Sequence, residues 1–179
     1  MKLKICYLIC FILLSYSSVM GQESYSNSVY DKETFRISSL SLVGGYVLNT
    51  SDSVDRVNHF LEFGISKSLY SEPIYGNLNY HFKNELKIYP NDFVIGPKIG
   101  GYFGFTIFTA GLDLLVYTNF KNSSLRLVPN IGIGNHRFKF SINPHVVLTN
   151  SDLLNVENGG SFSFTMSILP LKTKKQLLK

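Results

Sequence analysis

Hydrophobic and polar residues alternate along most of this chain. The clearest case is residues 138–149, FKFSINPHVVLT, in which every even-numbered residue is apolar and every odd-numbered one except Val147 is polar. Successive side chains of a strand point to opposite faces, so this segment predicts a strand with one apolar and one polar face. Similar patterns predict eight strands, at residues 37–48, 57–69, 76–88, 93–105, 107–118, 124–133, 136–149 and 161–169.

Turn signals rich in Asn, Gly, Pro and Ser separate these strands, and no segment between them shows a sustained helical period. The first, third, fifth and seventh connections are the longer ones, apart from a near tie between the second and the third. Membrane barrels alternate long outward loops with short periplasmic turns in this way. The fold class predicted is therefore all-β, an eight-stranded antiparallel up-and-down β-barrel.

The first 21 residues have the organisation of a cleavable signal peptide. Lys2 and Lys4 precede the apolar run 5–14, and small residues follow up to Gly21. Such a run is about half of the ~20 residues that an anchor helix needs. Both cysteines, Cys6 and Cys10, lie inside this segment, so no disulfide, thiolate metal site or cysteine nucleophile is expected in the mature chain.

The predicted organisation is a signal peptide at 1–21, a flexible lead-in at 22–36, the barrel at 37–171 and a basic C-terminal tail at 172–179. The formal charge of +5 comes from the two ends of the chain. Between Gln22 and Leu171 there are 11 basic and 12 acidic residues, so the charge gives no indication of a nucleic-acid surface.

Alternation alone does not decide which face of the barrel is inside. Only 16% of the chain is charged, whereas soluble surfaces usually carry about 25–35%. This favours an apolar outside and a polar lumen, in which each charge needs a partner because an unpaired buried charge is costly. The predicted lumen network, structural in role, comprises Glu62, Lys83, Glu85, Lys98, Asp113, Arg126 and Lys139.

Aromatic residues are abundant, with 11 Tyr and 14 Phe, and many stand at the ends of predicted strands. Membrane barrels carry girdles of aromatic side chains at the two interfaces. Capping of a soluble core by these rings is the alternative interpretation. The residues predicted for the girdles are Tyr46, Tyr89, Tyr102, Phe105, Tyr117 and Phe120.

No catalytic residue, metal site or cofactor is predicted. The four histidines are scattered over four segments, and hydrogen bonding in the lumen is the expected role of His81 and His145. No serine stands in a nucleophile-elbow context, which disfavours a hydrolase.

The segments IGPKIG at 95–100, LDLLVYTNFKN at 112–122, SLRLVPNIGIG at 124–134 and LTNSD at 148–152 resemble an uncharacterised family of small outer-membrane β-barrels of Bacteroidota. The resemblance covers roughly residues 93–152. It implies a barrel in the outer membrane and no known ligand or activity. The basic C-terminus departs from the aromatic last residue that is usual in such barrels.

The function predicted is that of an outer-membrane β-barrel with a structural or surface-interaction role and a plugged polar lumen. The expected partner is the lipid bilayer, with no nucleic acid, an unknown envelope protein as a possible second partner, and a monomeric state. Two alternatives are a secreted or periplasmic soluble barrel of lipocalin type that binds a small apolar ligand, and an accessory subunit of an envelope secretion complex.

Overall fold

Nine antiparallel strands form one closed barrel in the computed structural model, which describes residues 34–50, 57–72, 76–88, 93–149, 154, 156 and 158–178. The strands are β1 (Thr34–Thr50), β2 (Val57–Glu72), β3 (Gly76–Lys87), β4 (Ile95–Phe105), β5 (Phe108–Thr118), β6 (Ser123–Gly134), β7 (Phe138–Pro144), β8 (Val146–Thr149) and β9 (Gly160–Leu178). Pairing of β1 with β9 and of β5 with β6 closes the ring, which confirms the predicted eight-stranded barrel. The predicted signal peptide and Tyr89 lie outside the described residues.

In the part of the chain that the structure describes, no helix is long and apolar enough to cross a membrane.

The extra strand arises because the predicted seventh strand is interrupted at His145. Its first part, β7, pairs with both β6 and β9, and its second part, β8, pairs with β6. Pro144 precedes the interruption, and proline has no N–H group to donate to a strand ladder. Together β7 and β8 therefore occupy one position in the ring.

The register of the strands determines their tilt. One ring of paired residues runs through Ile133, Phe140, Phe164, Tyr46, Leu61, Leu86, Ile95, Thr118 and Ser123. The ring starts and ends on β6 ten residues apart, which for eight strands corresponds to a tilt of about 40°. At this tilt a strand of 11 residues, such as β4, extends about 27 Å along the barrel axis.

The two ends of the barrel differ in their connections. The long-loop end carries connections of six, seven, four and ten residues, at 51–56, 88–94, 119–122 and 150–159. The short-turn end carries connections of three, two and three residues, at 73–75, 106–107 and 135–137, together with the paired residues Thr34 and Leu178. The predicted alternation of long and short connections is confirmed, and the second and third connections no longer have nearly equal lengths.

Strand β9 extends further than the sequence indicated. Its pairing with β1 continues from Lys172 opposite Leu40 to Leu178 opposite Thr34, so residues 172–178 are strand and not a separate tail. Residues 34–36, assigned to the lead-in, likewise belong to β1. Lysines are common on edge strands, and the described side chains after Ile168 are all exposed, so the basic residues fit this position without burial of charge.

The apolar face of the barrel lies outside and the polar face inside. Among the described residues, 31 large hydrophobic side chains are exposed and 22 polar or charged side chains are buried, against 11 buried hydrophobic ones. Eight of these 11 buried hydrophobic side chains form one cluster, with members on β1, β2, β5 and β6 and in the 88–94 and 150–159 loops. These are Val47, Phe60, Val94, Leu115, Tyr117, Val128, Leu154 and Val156.

Candidate functional site in the barrel lumen

All seven residues predicted for the lumen network are buried inside the barrel. Alternation places them there: on β3 and β5, every second residue is buried over most of the strand. Six of them form three groups along the lumen instead of one continuous network, and the seventh, Asp113, pairs with His81.

The central group is an ionic quartet, defined here as Glu62, Lys83, Glu85 and Lys98. Lys83 Nζ lies 2.9 Å from Glu62 Oε1, and Lys98 Nζ lies 2.5 Å from Glu85 Oε1. Lys98 also contacts Glu62, so the two lysines and the two carboxylates are linked in one chain.

The register explains how the quartet avoids repulsion. Glu62 is directly opposite Glu85 across β2 and β3, and Lys83 is directly opposite Lys98 across β3 and β4. Like charges directly opposite each other destabilise a sheet. The carboxylates therefore pair diagonally with the lysines, and every charge in the quartet contacts an opposite one.

Two hydroxyl groups complete the coordination of the carboxylates. The Thr165 hydroxyl donates to Glu62 Oε1 at 2.6 Å, and the Tyr117 hydroxyl donates to Glu85 Oε2 at 2.6 Å. Donated hydrogen bonds stabilise buried carboxylates, so the two hydroxyls add to the ion pairs of the quartet.

Asp113 pairs with His81, which is not a member of the predicted network. Its Oδ1 lies 3.1 Å from His81 Nε2, on the other side of β4. The contact passes over Gly100, where a Cβ atom would lie 2.5 Å from the Leu112 carbonyl oxygen and would also meet Asp113 itself. Glycine at this position therefore makes room for the pair.

Arg126 belongs to the long-loop end instead of the quartet. Its guanidinium donates to the Val156 carbonyl oxygen and to Asn158 Oδ1, both at 3.0 Å, and contacts His145 Nδ1 at 3.0 Å. Its Cζ atom also lies 4.9 Å from the centre of the Tyr117 ring. The described residues of the last loop are therefore drawn into the barrel, where Leu154 and Val156 join the apolar cluster.

We expect Arg126→Met to release this loop. Loss of the guanidinium leaves the buried Val156 carbonyl without that donor, at a cost of about 1–3 kcal/mol, while Leu154 and Val156 keep only their apolar contacts. Limited proteolysis of the folded barrel should then cut within 150–159 much faster than in the wild type. Lys121→Met, at an exposed position of a neighbouring loop, is the control. Equal cleavage of Arg126→Met and the control would show that the arginine does not hold the loop.

Lys139 lies in the third group, at the short-turn end. Its ammonium donates to Asn130 Oδ1 at 2.5 Å and lies 4.2 Å from the centre of the Tyr102 ring. His136, in the adjoining turn, stacks on Tyr70 with ring centres 3.9 Å apart. Burial lowers the pKa of His136 to about 4, with the neighbouring Arg137 acting in the same direction, so this ring is neutral at pH 7.

The prediction for the aromatic girdles is wrong at two positions. Tyr102 and Tyr117 are buried in the lumen, where Tyr102 donates to the Asn135 carbonyl oxygen at 3.2 Å. Phe103 and Val116 face outward, so their neighbours along the strand face inward. Tyr46, Phe105 and Phe120 are exposed, as the prediction requires.

Sequence reasoning missed the roles of Thr165, Asn130 and the two lumen tyrosines. For the tyrosines the signal was available, because the alternation that places Lys98 and Asp113 in the lumen also places Tyr102 and Tyr117 there. For Thr165 and Asn130 the contacts depend on distances across the lumen, which alternation along one strand does not give.

Within the described ranges, no three His, Cys, Asp or Glu side chains come together in a way that could hold a metal ion.

Comparison of the chain with known protein families, with curated proteins and with solved structures finds no match.

Proposed function

We propose that this chain is an exported β-barrel of the outer membrane, with a structural or surface-interaction role, a plugged lumen and no catalysis. The observation that carries the proposal is the exposure of 31 large hydrophobic side chains around a polar interior, counted over the described residues. Soluble proteins rarely expose contiguous apolar surface of more than a few hundred Å². A bilayer is the solvent that suits such a surface.

The dimensions of the barrel support the same proposal. Strands of 11 to 12 residues, such as β3, β4 and β5, extend about 27 Å or slightly more along the axis at the tilt that the register gives. The apolar band of membrane barrels is about 25 Å tall. Closure of the ring also pairs the backbone groups around the barrel, which lipid requires because it offers no hydrogen bonds.

The filled lumen argues for a structural role over a channel. An eight-stranded barrel leaves an interior that side chains just fill, and here the ionic quartet and the Arg126 group occupy it. A barrel of lipocalin type would instead need an apolar cavity for its ligand, whereas 22 of the buried side chains in the described part of the chain are polar or charged.

Surface interaction would then belong to the long-loop end. Its four connections have the length and position of outward loops in membrane barrels, whose short turns face the periplasm. The resemblance of residues 93–152 to small outer-membrane barrels of Bacteroidota supports residence in that membrane.

Membrane extraction tests the proposal. Expressed with its signal peptide, the chain should remain in the membrane fraction after washing with alkaline carbonate. In detergent it should migrate faster on a gel before boiling than after, since a folded barrel is more compact than the unfolded chain. Release by carbonate together with migration that boiling does not change would support the soluble barrel instead. Co-purification of a stable envelope partner would favour the accessory-subunit alternative.

A further inference from the structure

A small cavity opens at the short-turn end of the lumen. Its volume is about 20 Å³, enough for one water-sized species. Three cationic side chains line it, those of Lys83, Arg137 and Lys139, and none of its lining residues carries a carboxylate. The neutral side chains of Tyr102 and His136 also line the cavity.

Lys139 is the buried cation whose charge is least compensated there. Lys83 contacts Glu62, whereas no carboxylate of the described residues lies within 4.0 Å of Lys139 Nζ. The contacts of Lys139 are Asn130 Oδ1 and the Tyr102 ring, which together carry no full negative charge. Burial of a cation without an ion-pair partner is costly, so a counter-charge beside Lys139 would stabilise its charged form.

Polar groups without partners among the described residues lie at the same end of the lumen, outside the lining of the cavity. Asn130 is buried and its Oδ1 accepts from Lys139, which assigns its Nδ2 as a donor, and within the described residues that nitrogen has no partner. The buried amide of Asn77 and the hydroxyl of Thr109 are also without partners among those residues. Asn77 and Thr109 both stand opposite Gly104, so they belong to the same end of the lumen.

We propose that the short-turn end of the lumen binds one small monovalent anion of the size of chloride, with Lys139, held by Asn130 Oδ1, as its counter-charge. The cavity limits the anion to about the size of a water molecule, which excludes phosphate and organic acids. The site lies inside the barrel, so it does not depend on whether a bilayer surrounds the outer face.

Thermal unfolding of the full chain in detergent tests the proposal, with chloride exchanged for bulky gluconate at constant ionic strength. We expect the wild-type Tm to rise saturably, by about 4 °C between low and 300 mM chloride, because an anion that binds only the folded state stabilises it. The ³⁵Cl NMR line should broaden with folded protein and sharpen again on addition of bromide.

Two variants remove the dependence in different ways. Lys139→Met removes the positive charge that would hold the anion. Asn130→Asp replaces the amide beside the Lys139 ammonium with a carboxylate of equal size. Both variants should abolish the chloride dependence of the Tm. In gluconate, Asn130→Asp should have a higher Tm than the wild type. Lys67→Met, exposed on the outer face of β2, should keep the full dependence.

A wild-type Tm that is equal in chloride and gluconate would overturn the proposal and leave the cavity to water. A chloride dependence that persists in Asn130→Asp would place the anion elsewhere and would overturn it as well. If Lys139→Met does not fold, the Tm of Asn130→Asp and the ³⁵Cl line widths still show whether the anion binds at this site. Carbonate extraction tests membrane residence separately.

Discussion

Glu62→Gln is expected to lower the free energy of unfolding of the barrel by about 3–5 kcal/mol, since removal of one partner from a buried ion pair leaves its counter-charge uncompensated. Glu62 contacts both lysines of the quartet and accepts the Thr165 hydrogen bond. The neutral amide keeps the shape of the side chain but cancels its charge. Unfolding in urea, followed by gel mobility without boiling, measures the loss.

A double-mutant cycle separates the charge effect from other consequences of the substitution. Lys83→Met alone removes one of the two lysines that contact Glu62, and the double variant Glu62→Gln/Lys83→Met removes both members of that pair. We expect the double variant to lose less stability than the sum of the two single variants, because the second substitution removes a charge that the first left unpaired. Lys172→Met, exposed on β9, is the control for loss of a lysine and should change stability by less than about 0.5 kcal/mol. Additive losses would mean that the quartet is not an electrostatic unit.

The barrel and the residues that fill its lumen could be predicted from the sequence. Alternation has a period of two, so one correctly assigned strand fixes the face of every residue on it. Glu62, Lys83, Glu85 and Lys98 all followed from this rule. It also implied the inward positions of Tyr102 and Tyr117, which the expectation of aromatic girdles overrode.

The partners within the lumen could not be predicted in the same way. Whether Asp113 contacts Lys98 or His81 depends on the stagger between strands, and a stagger of ten residues around the ring brings distant positions to one level. The position of Arg126 depends on a loop that folds back into the barrel. The end of β9 depends on pairing with β1, which begins more than 120 residues earlier along the chain.

Leu112→Arg should decide which solvent surrounds the outer face. Leu112 stands in the middle of β5, 50% exposed, between Gly101 and Pro129 on the neighbouring strands. In a membrane barrel an outward arginine at the bilayer midplane costs about 2–4 kcal/mol of folding free energy. We therefore expect a loss of this size for the protein refolded into lipid vesicles.

Ile107→Arg is the matched control, since Ile107 is also aliphatic and is 58% exposed but lies in the turn between β4 and β5. Near the membrane interface the same substitution costs only about 0–1 kcal/mol. On a soluble barrel both arginines would replace exposed apolar groups in water, and both variants would stay within about 0.5 kcal/mol of the wild type. A clear difference between the two positions thus requires a gradient of polarity along the barrel axis, which a bilayer provides and water does not.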